Sequence, residues 1–143
     1  MTIKQSNWTK GINVTATSDC SGEVVCERFT FTITENLTTS DIIELGVLPA
    51  FATVVDAILD TDECGTCTIA VGVMSGSVGS TDGARTSGTE LFAAAADASV
   101  VRPSTRSAFT IAPTDKDRSI GLKFSAAVTA ANQVVALTLF YKQ

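Results

Sequence analysis

The stretch DIIELGVLPAFATVVDAILDTDE, residues 41–63, is the most hydrophobic part of the chain, and how it is divided decides the fold. A membrane helix needs about 20 mostly apolar residues. This run carries Glu44 and Asp56 within it and is broken by Gly46 and Pro49, so a single span is excluded. It divides instead into two strands. DIIELGV ends at Gly46, LPA turns the chain because Pro49 fixes φ and removes a backbone donor, and FATVVDAILD forms the next strand.

Working outward, RFTFTIT (28–34) alternates Phe29, Phe31 and Ile33 with Thr30, Thr32 and Thr34, the period of a half-buried strand. RSIGLKFSAAV (118–128) repeats the device, with Ile120, Leu122, Phe124, Ala126 and Val128 on one face and Lys123 and Ser125 on the other. QVVALTLFYK (133–142) is apolar on both faces, which predicts a central strand or one that meets a partner. CTIAVGVMSG (67–76) is a further strand after the turn TDECGT. SGSVGSTDGARTSG (75–88) reads as a mobile surface loop. Beyond it, Ser87 and Glu90 match a capping box ahead of an alanine-rich run, predicting one short helix. With VVRPS and SAFTIAP taken as strands near residues 100 and 108, the total is about eight, which predicts an all-β, jelly-roll-like β-sandwich. No repeat of a solenoid or propeller is present.

Residues 1–22 differ in kind. They are polar, lack clear alternation, and carry Lys4 and Lys10 with no acid before Asp19. They are expected to form an extended N-terminal arm preceding a sandwich domain at 23–143; a basic arm can dock on a neighbour's negative patch, and the alternative is a frayed terminus with no function. Trp8 sits in this arm. Either it is an anchor that buries on a partner, or the arm folds back and Trp8 packs on its own domain. Lys4, Trp8 and Lys10 are therefore the candidate partner interface.

The chain of 143 residues is 45% hydrophobic and 17% charged, with a formal net charge of −5, and suits one domain with a real core. Such a balance argues against nucleic acid as a partner. The start MTIKQSNWTKG has no apolar segment followed by a small-residue cleavage site, so the expectation is synthesis in a cytoplasm and no membrane association. Histidine is absent, which removes Ser-His-Asp and Cys-His nucleophile systems. No GxSxG, SxxK, HExxH, Walker A or dinucleotide fingerprint occurs either, and the expectation is a protein that is not an enzyme and needs no cofactor.

Cys20, Cys26, Cys64 and Cys67 are the residues with possible metal-ligand spacing. CGTC is a C-x2-C step in a tight turn, and Cys20 and Cys26 could complete a four-thiolate zinc site, although their spacing is wider than usual. A disulfide and plain thiols remain open beside it, since Cys67 shares a face with Ile69, Val71 and Val73. DTDE (60–63) resembles half of a calcium loop but lacks the rest, and reads as a solvated hairpin tip. The sequons at Asn7, Asn13 and Asn36 would matter only in a secretory pathway.

At IELGVLPAFATVVDAILDTDE, TCTIAVGV and VVALTLFYK the chain resembles the capsid decoration, or cement, proteins of tailed bacteriophages. The shared pattern spans residues 40–143: a strand ending in L-G-x-L-P-A, a long apolar strand closed by acidic turn residues, and an alternating strand ending in V-G-V. The resemblance implies a β-sandwich or jelly roll that binds the major capsid protein on the outside of the virion, as a dimer or trimer where capsomers meet, and holds the shell against packaged DNA. The CGTC turn departs from the pattern, where ordinary polar turn residues are expected. Two alternatives are a tail or fibre component of the same virion and a carbohydrate-binding sandwich, the latter disfavoured by a single Trp and a single Tyr.

Overall fold

The computed structural model describes residues 1–20 and 22–143; Ser21, which falls within the expected arm, lies outside the described residues. The described residues form β1 (Ile3–Gln5), β2 (Val24–Thr32), β3 (Ile42–Leu48), β4 (Thr53–Thr61), β5 (Thr68–Val73), β6 (Phe92–Ala96), β7 (Val100–Val101), a 3-10 helix (Arg106–Phe109), β8 (Arg118–Phe124) and β9 (Val134–Lys142). They build two sheets, one ordered β1-β3-β8-β5-β6 and the other β2-β9-β4-β7. From β2 to β9 every connection crosses between the sheets except β5 to β6, and all pairs among these eight strands are antiparallel. That wrapping is the jelly roll, in the β-sandwich class that the alternation of the sequence predicts.

The expected division of the run into two strands holds, but the first does not end at Gly46: β3 passes through it at a bulge between Glu44 and Gly46 and stops at Leu48, before Pro49. β3 and β4 lie in opposite sheets, so the chain reverses between them, and Phe51 takes a positive φ of 61° in the turn. β9 lies between β2 and β4, which is why its sequence is apolar on both faces. Val135, Leu137, Leu139 and Tyr141 are buried in the core, while Thr138 and Phe140 on the outer face are half-buried. Phe29 and Ile33 join them from the β2 chain, and Ile43, Leu45, Ile69, Ile120 and Leu122 close the core from the opposite sheet.

The expected short helix is corrected. The alanine run is β6, paired with β5 through Thr68↔Ala96, Ile69↔Ala95 and Val71↔Phe92. The Glu90 carboxylate does not reach back to cap Ser87; its Oε2 accepts the Val73 backbone N–H at 3.0 Å, fastening the start of the run to β5. Helix propensity is a weak prior that such pairing overrides. The expected strand SAFTIAP is corrected too: a helical turn, Arg106–Phe109, overlaps its start, and Ala108 and, just beyond the turn, Ile111 plug the core three residues apart, a spacing unlike a strand's.

The loop 75–88 lies at the surface, as expected. It is exposed over much of its length but is pinned by Arg85, which is buried. It packs over the outer face of the five-stranded sheet, which β1 extends at its edge, and Ile3, Ile42 and Met74 form a second small apolar cluster there. This is why every residue of β3 is buried. On the outer face of the four-stranded sheet, by contrast, β2 presents Val24, Cys26, Arg28, Thr30 and Thr32 to solvent.

Candidate functional site

The N-terminal segment is laid along the sandwich rather than projecting from it. β1 runs parallel to β3, with the Ile42 N–H donating to the Thr2 carbonyl at 3.0 Å and the Ser6 N–H to the Glu44 carbonyl at 3.0 Å. A turn follows, in which the Lys10 N–H reaches the Ser6 carbonyl at 3.1 Å and the Thr9 hydroxyl the Glu44 carbonyl at 3.1 Å. It brings Trp8 edge-on to Phe29, with ring centroids 5.4 Å apart and planes at 84°. Glu27, on β2, accepts the Trp8 indole N–H at 2.8 Å through one oxygen and the Ala16 N–H at 2.9 Å through the other. The Ser18 N–H donates to Gln143 at 2.9 Å, and the Tyr141 hydroxyl donates to the Ala16 carbonyl. Of the two placements open for Trp8, the structure shows the one in which it packs on its own domain, half-buried.

Between this segment and the edge of the other sheet opens a cleft of about 530 Å³. Gln5 and Ser6 line one wall with Lys4 and Lys10, and Thr30 and Thr32 line the other. Lys4 spans the gap to Glu35, with Nζ–Oε1 at 2.8 Å and side-chain exposures of 19% and 60%. Lys10 is exposed, and it makes no ion pair among the described residues. Two of the three predicted interface residues, Lys4 and Lys10, thus share one cleft. Trp8 lies behind it, outside the lining, and shapes it by holding the N-terminal turn against β2.

Gln5, in the cleft wall, also joins a buried polar network that local sequence patterns do not assemble. Glu44 pairs with Arg85 at 2.9 Å, and their side chains are 0% and 2% exposed. Glu44 also accepts from the Ser119 hydroxyl, from the Gly79 N–H at 3.0 Å and from the Gln5 amide at 3.0 Å. Burial pushes the Glu44 carboxyl up, but hydrogen bonds from Ser119, Arg85, Gly79 and Gln5 outweigh it and hold the group below its ordinary value. Arg85 in turn donates to the Ser75 and Ser80 carbonyls at 2.7 and 2.6 Å and to Ser119 at 2.9 Å. Gln5 therefore links β1, the wall of the cleft, to the loop anchor. The signal was available: a lone carboxylate in an apolar strand needs a buried cation, and Arg85 is the single cation in the loop.

The cysteines are not gathered into one centre. Cys64 and Cys67 are buried in the turn between β4 and β5, whereas Cys20 and Cys26 are exposed. Among the described residues no group of three or more Cys, Asp or Glu side chains stands close enough to hold a metal ion. Burial, then the neighbouring Cys67, Asp97 and Asp62, push the Cys64 thiol up to about 11, and burial and Asp97 push Cys67 up as well. The Cys64 N–H donates to Asp97 at 2.9 Å and its thiol to the Asp62 carbonyl at 3.3 Å, which ties the turn together as structure.

No protein-family model matches the chain. No curated protein matches it either. Among solved structures, a chain of the capsid of Ralstonia phage GP4 is 44% identical, with a TM-score of 0.93, over 99% of this chain and 97% of that one. A chain of the cyanophage Pam1 capsid asymmetric unit is 24% identical, with a TM-score of 0.58, over 91% of this chain and 92% of that one, and has the same fold.

Proposed function

The chain belongs to the same family as a protein of the Ralstonia phage GP4 capsid, and from that premise we propose that this virion structural protein is a capsid decoration, or cement, protein. It binds the major capsid protein on the outer surface of an icosahedral head, after synthesis in the cytoplasm of the host bacterium, and stabilises the shell by holding adjacent capsomers. It acts without catalysis. The observation that carries the reading is the almost end-to-end likeness to a capsid chain at 44% identity.

The physical properties of the chain support it. A jelly roll with a large core shared by both sheets is a rigid block, and rigidity lowers the entropic cost of holding two surfaces together. The cleft presents lysines, amides, hydroxyls and strand edges, groups suited to gripping a protein surface. A standard interface buries about 800 Å² on each partner, and many such contacts on one shell add up through multivalency. A dimeric or trimeric form would multiply them further.

The test is reconstitution. Purified chain is added to shells of its own phage that lack it, and sedimentation and the temperature of shell disassembly are followed. Saturable co-sedimentation with a raised disassembly temperature is expected. A chain that stays in the supernatant at every concentration contradicts the proposal.

A further inference from the structure

We infer that the cleft between β1 and β2 is a strand-addition site: an extended segment of the shell protein pairs with the free edge of β2 at Thr30–Thr32 and places a carboxylate against Lys10. The inference rests on the shell-binding reading above and names the part of the partner that would be held.

The backbone directions carry it. Among the described residues β2 is an edge strand, paired with β9 alone. Just beyond it, Ile33 turns both backbone groups toward β9: its N–H donates to the Gln133 carbonyl at 2.8 Å, and its carbonyl accepts the Asn132 N–H at 3.1 Å. Opposite Thr32, Val134 turns its own groups the other way, its carbonyl accepting the Asp62 N–H at 3.0 Å and its N–H donating to the Asp62 carboxylate at 2.8 Å. Backbone groups alternate in direction along an antiparallel strand. Thr32 and Thr30 therefore direct their N–H and C=O groups to the open side, away from β9.

The facing wall is built the same way. Thr2 and Ser6 use their backbone groups on β3, so in the parallel ladder Ile3 and Gln5 turn theirs outward. Ile3, Gln5, Thr30 and Thr32 all line the one cleft. Two sheet edges whose outward peptide groups have no backbone partner among the described residues thus flank the cleft of about 530 Å³.

Sheet edges are ordinarily guarded by charge, proline or cover. At the other end of β2, cover is supplied by the N-terminal segment through Trp8, Ala16 and Glu27. From Phe29 to Thr34 the sequence FTFTIT carries no charge, proline or glycine. Strand addition uses such an edge, main-chain bonds supplying affinity and flanking side chains supplying choice. The flanking side chains here are basic. Lys10 is exposed and free of any ion pair among the described residues, in a chain of net charge −5. Among the described residues Lys4 is ion-paired only with Glu35, whose exposed carboxylate can give way to an incoming one. The fitting occupant is an extended acidic segment without proline at its donating positions.

The experiment is amide hydrogen exchange on the full chain, free and bound to shells of its own phage. In the free chain the Thr30 and Thr32 amides exchange readily; on the shell they slow by at least about tenfold, as newly bonded amides do. Lys10→Glu, at an exposed position, weakens shell binding by about tenfold while leaving thermal unfolding of the free chain unchanged. If the chain binds shells but these two amides keep their free exchange rate, strand addition is overturned and shell binding stands. If the chain does not bind shells, the shell-binding reading falls and this partner with it. Protection that appears in the free chain as its concentration rises would assign the edge to a second copy and overturn the proposal.

Discussion

Arg85 and Glu44 meet at 2.9 Å with side chains 2% and 0% exposed, so a 14-residue polar loop is fastened to the middle of an apolar strand by one buried ion pair. Breaking such a pair from one side leaves an uncompensated charge in the interior, at a cost of about 3–5 kcal/mol. Arg85→Ala is expected to destabilise the fold by that amount in urea unfolding. Arg102→Ala, which removes an exposed partner of Asp56, should change it by less than about 1 kcal/mol.

The same pair sets an acid limit. The folded Glu44 carboxyl lies below its ordinary value of 4.5, so its contribution to stability is complete above that pH and is lost as pH falls through the folded value. Urea midpoints should be flat from neutrality down to about pH 5 and decline below 4.5. In Glu44→Gln this component of the acid decline should vanish while neutral stability drops.

Gly46 packs directly on Phe29 across the sandwich. A Cβ at Gly46 would stand 2.5 Å from the Phe29 ring, which is itself clasped by Trp8. Gly46→Ala should therefore cost about 1–3 kcal/mol from overpacking. Because the Phe29 ring would be displaced against the indole, the emission of Trp8, the one tryptophan, should shift as well.

The cysteines should separate into two classes. Cys20 and Cys26 are exposed, while Cys64 and Cys67 are buried with thiols whose ionisation is suppressed. Titration with a thiol reagent should find the two exposed groups reacting promptly in the native chain and the two buried ones only on unfolding. Prompt reaction of Cys64 would contradict the burial of its side chain.

Legibility in the sequence followed period. Where side chains alternate over several residues, as in β2 and β8, strand and inner face were both readable, because burial of one face imposes period two; β4 and β9 were readable as strands only. The sheet order was not readable, since jelly-roll closure depends on long-range pairing that no local pattern encodes. Phe92–Ala96 misled because alanine favours helix locally, while β5 offered it a ladder. Arg106–Phe109 misled because a short apolar run fits either a strand or a single helical turn. At the cleft, Lys4 and Lys10 were legible as basic residues in a polar segment, but Glu35 and the open edge of β2 come from distant sequence and meet them only in the fold. Trp8 shows the limit of the inference from polar neighbours: its apolar surroundings arrive from β2.

The measurement that bears most directly on the central claim is the copy number of this chain in gradient-purified virions of its phage, by quantitative mass spectrometry against the major capsid protein. A decoration protein is predicted at a ratio of order one, and it should leave the particle under mild denaturant before the shell opens. A handful of copies per particle would contradict the claim and move the chain to the tail or a vertex, and absence from the particle would remove it from the virion altogether.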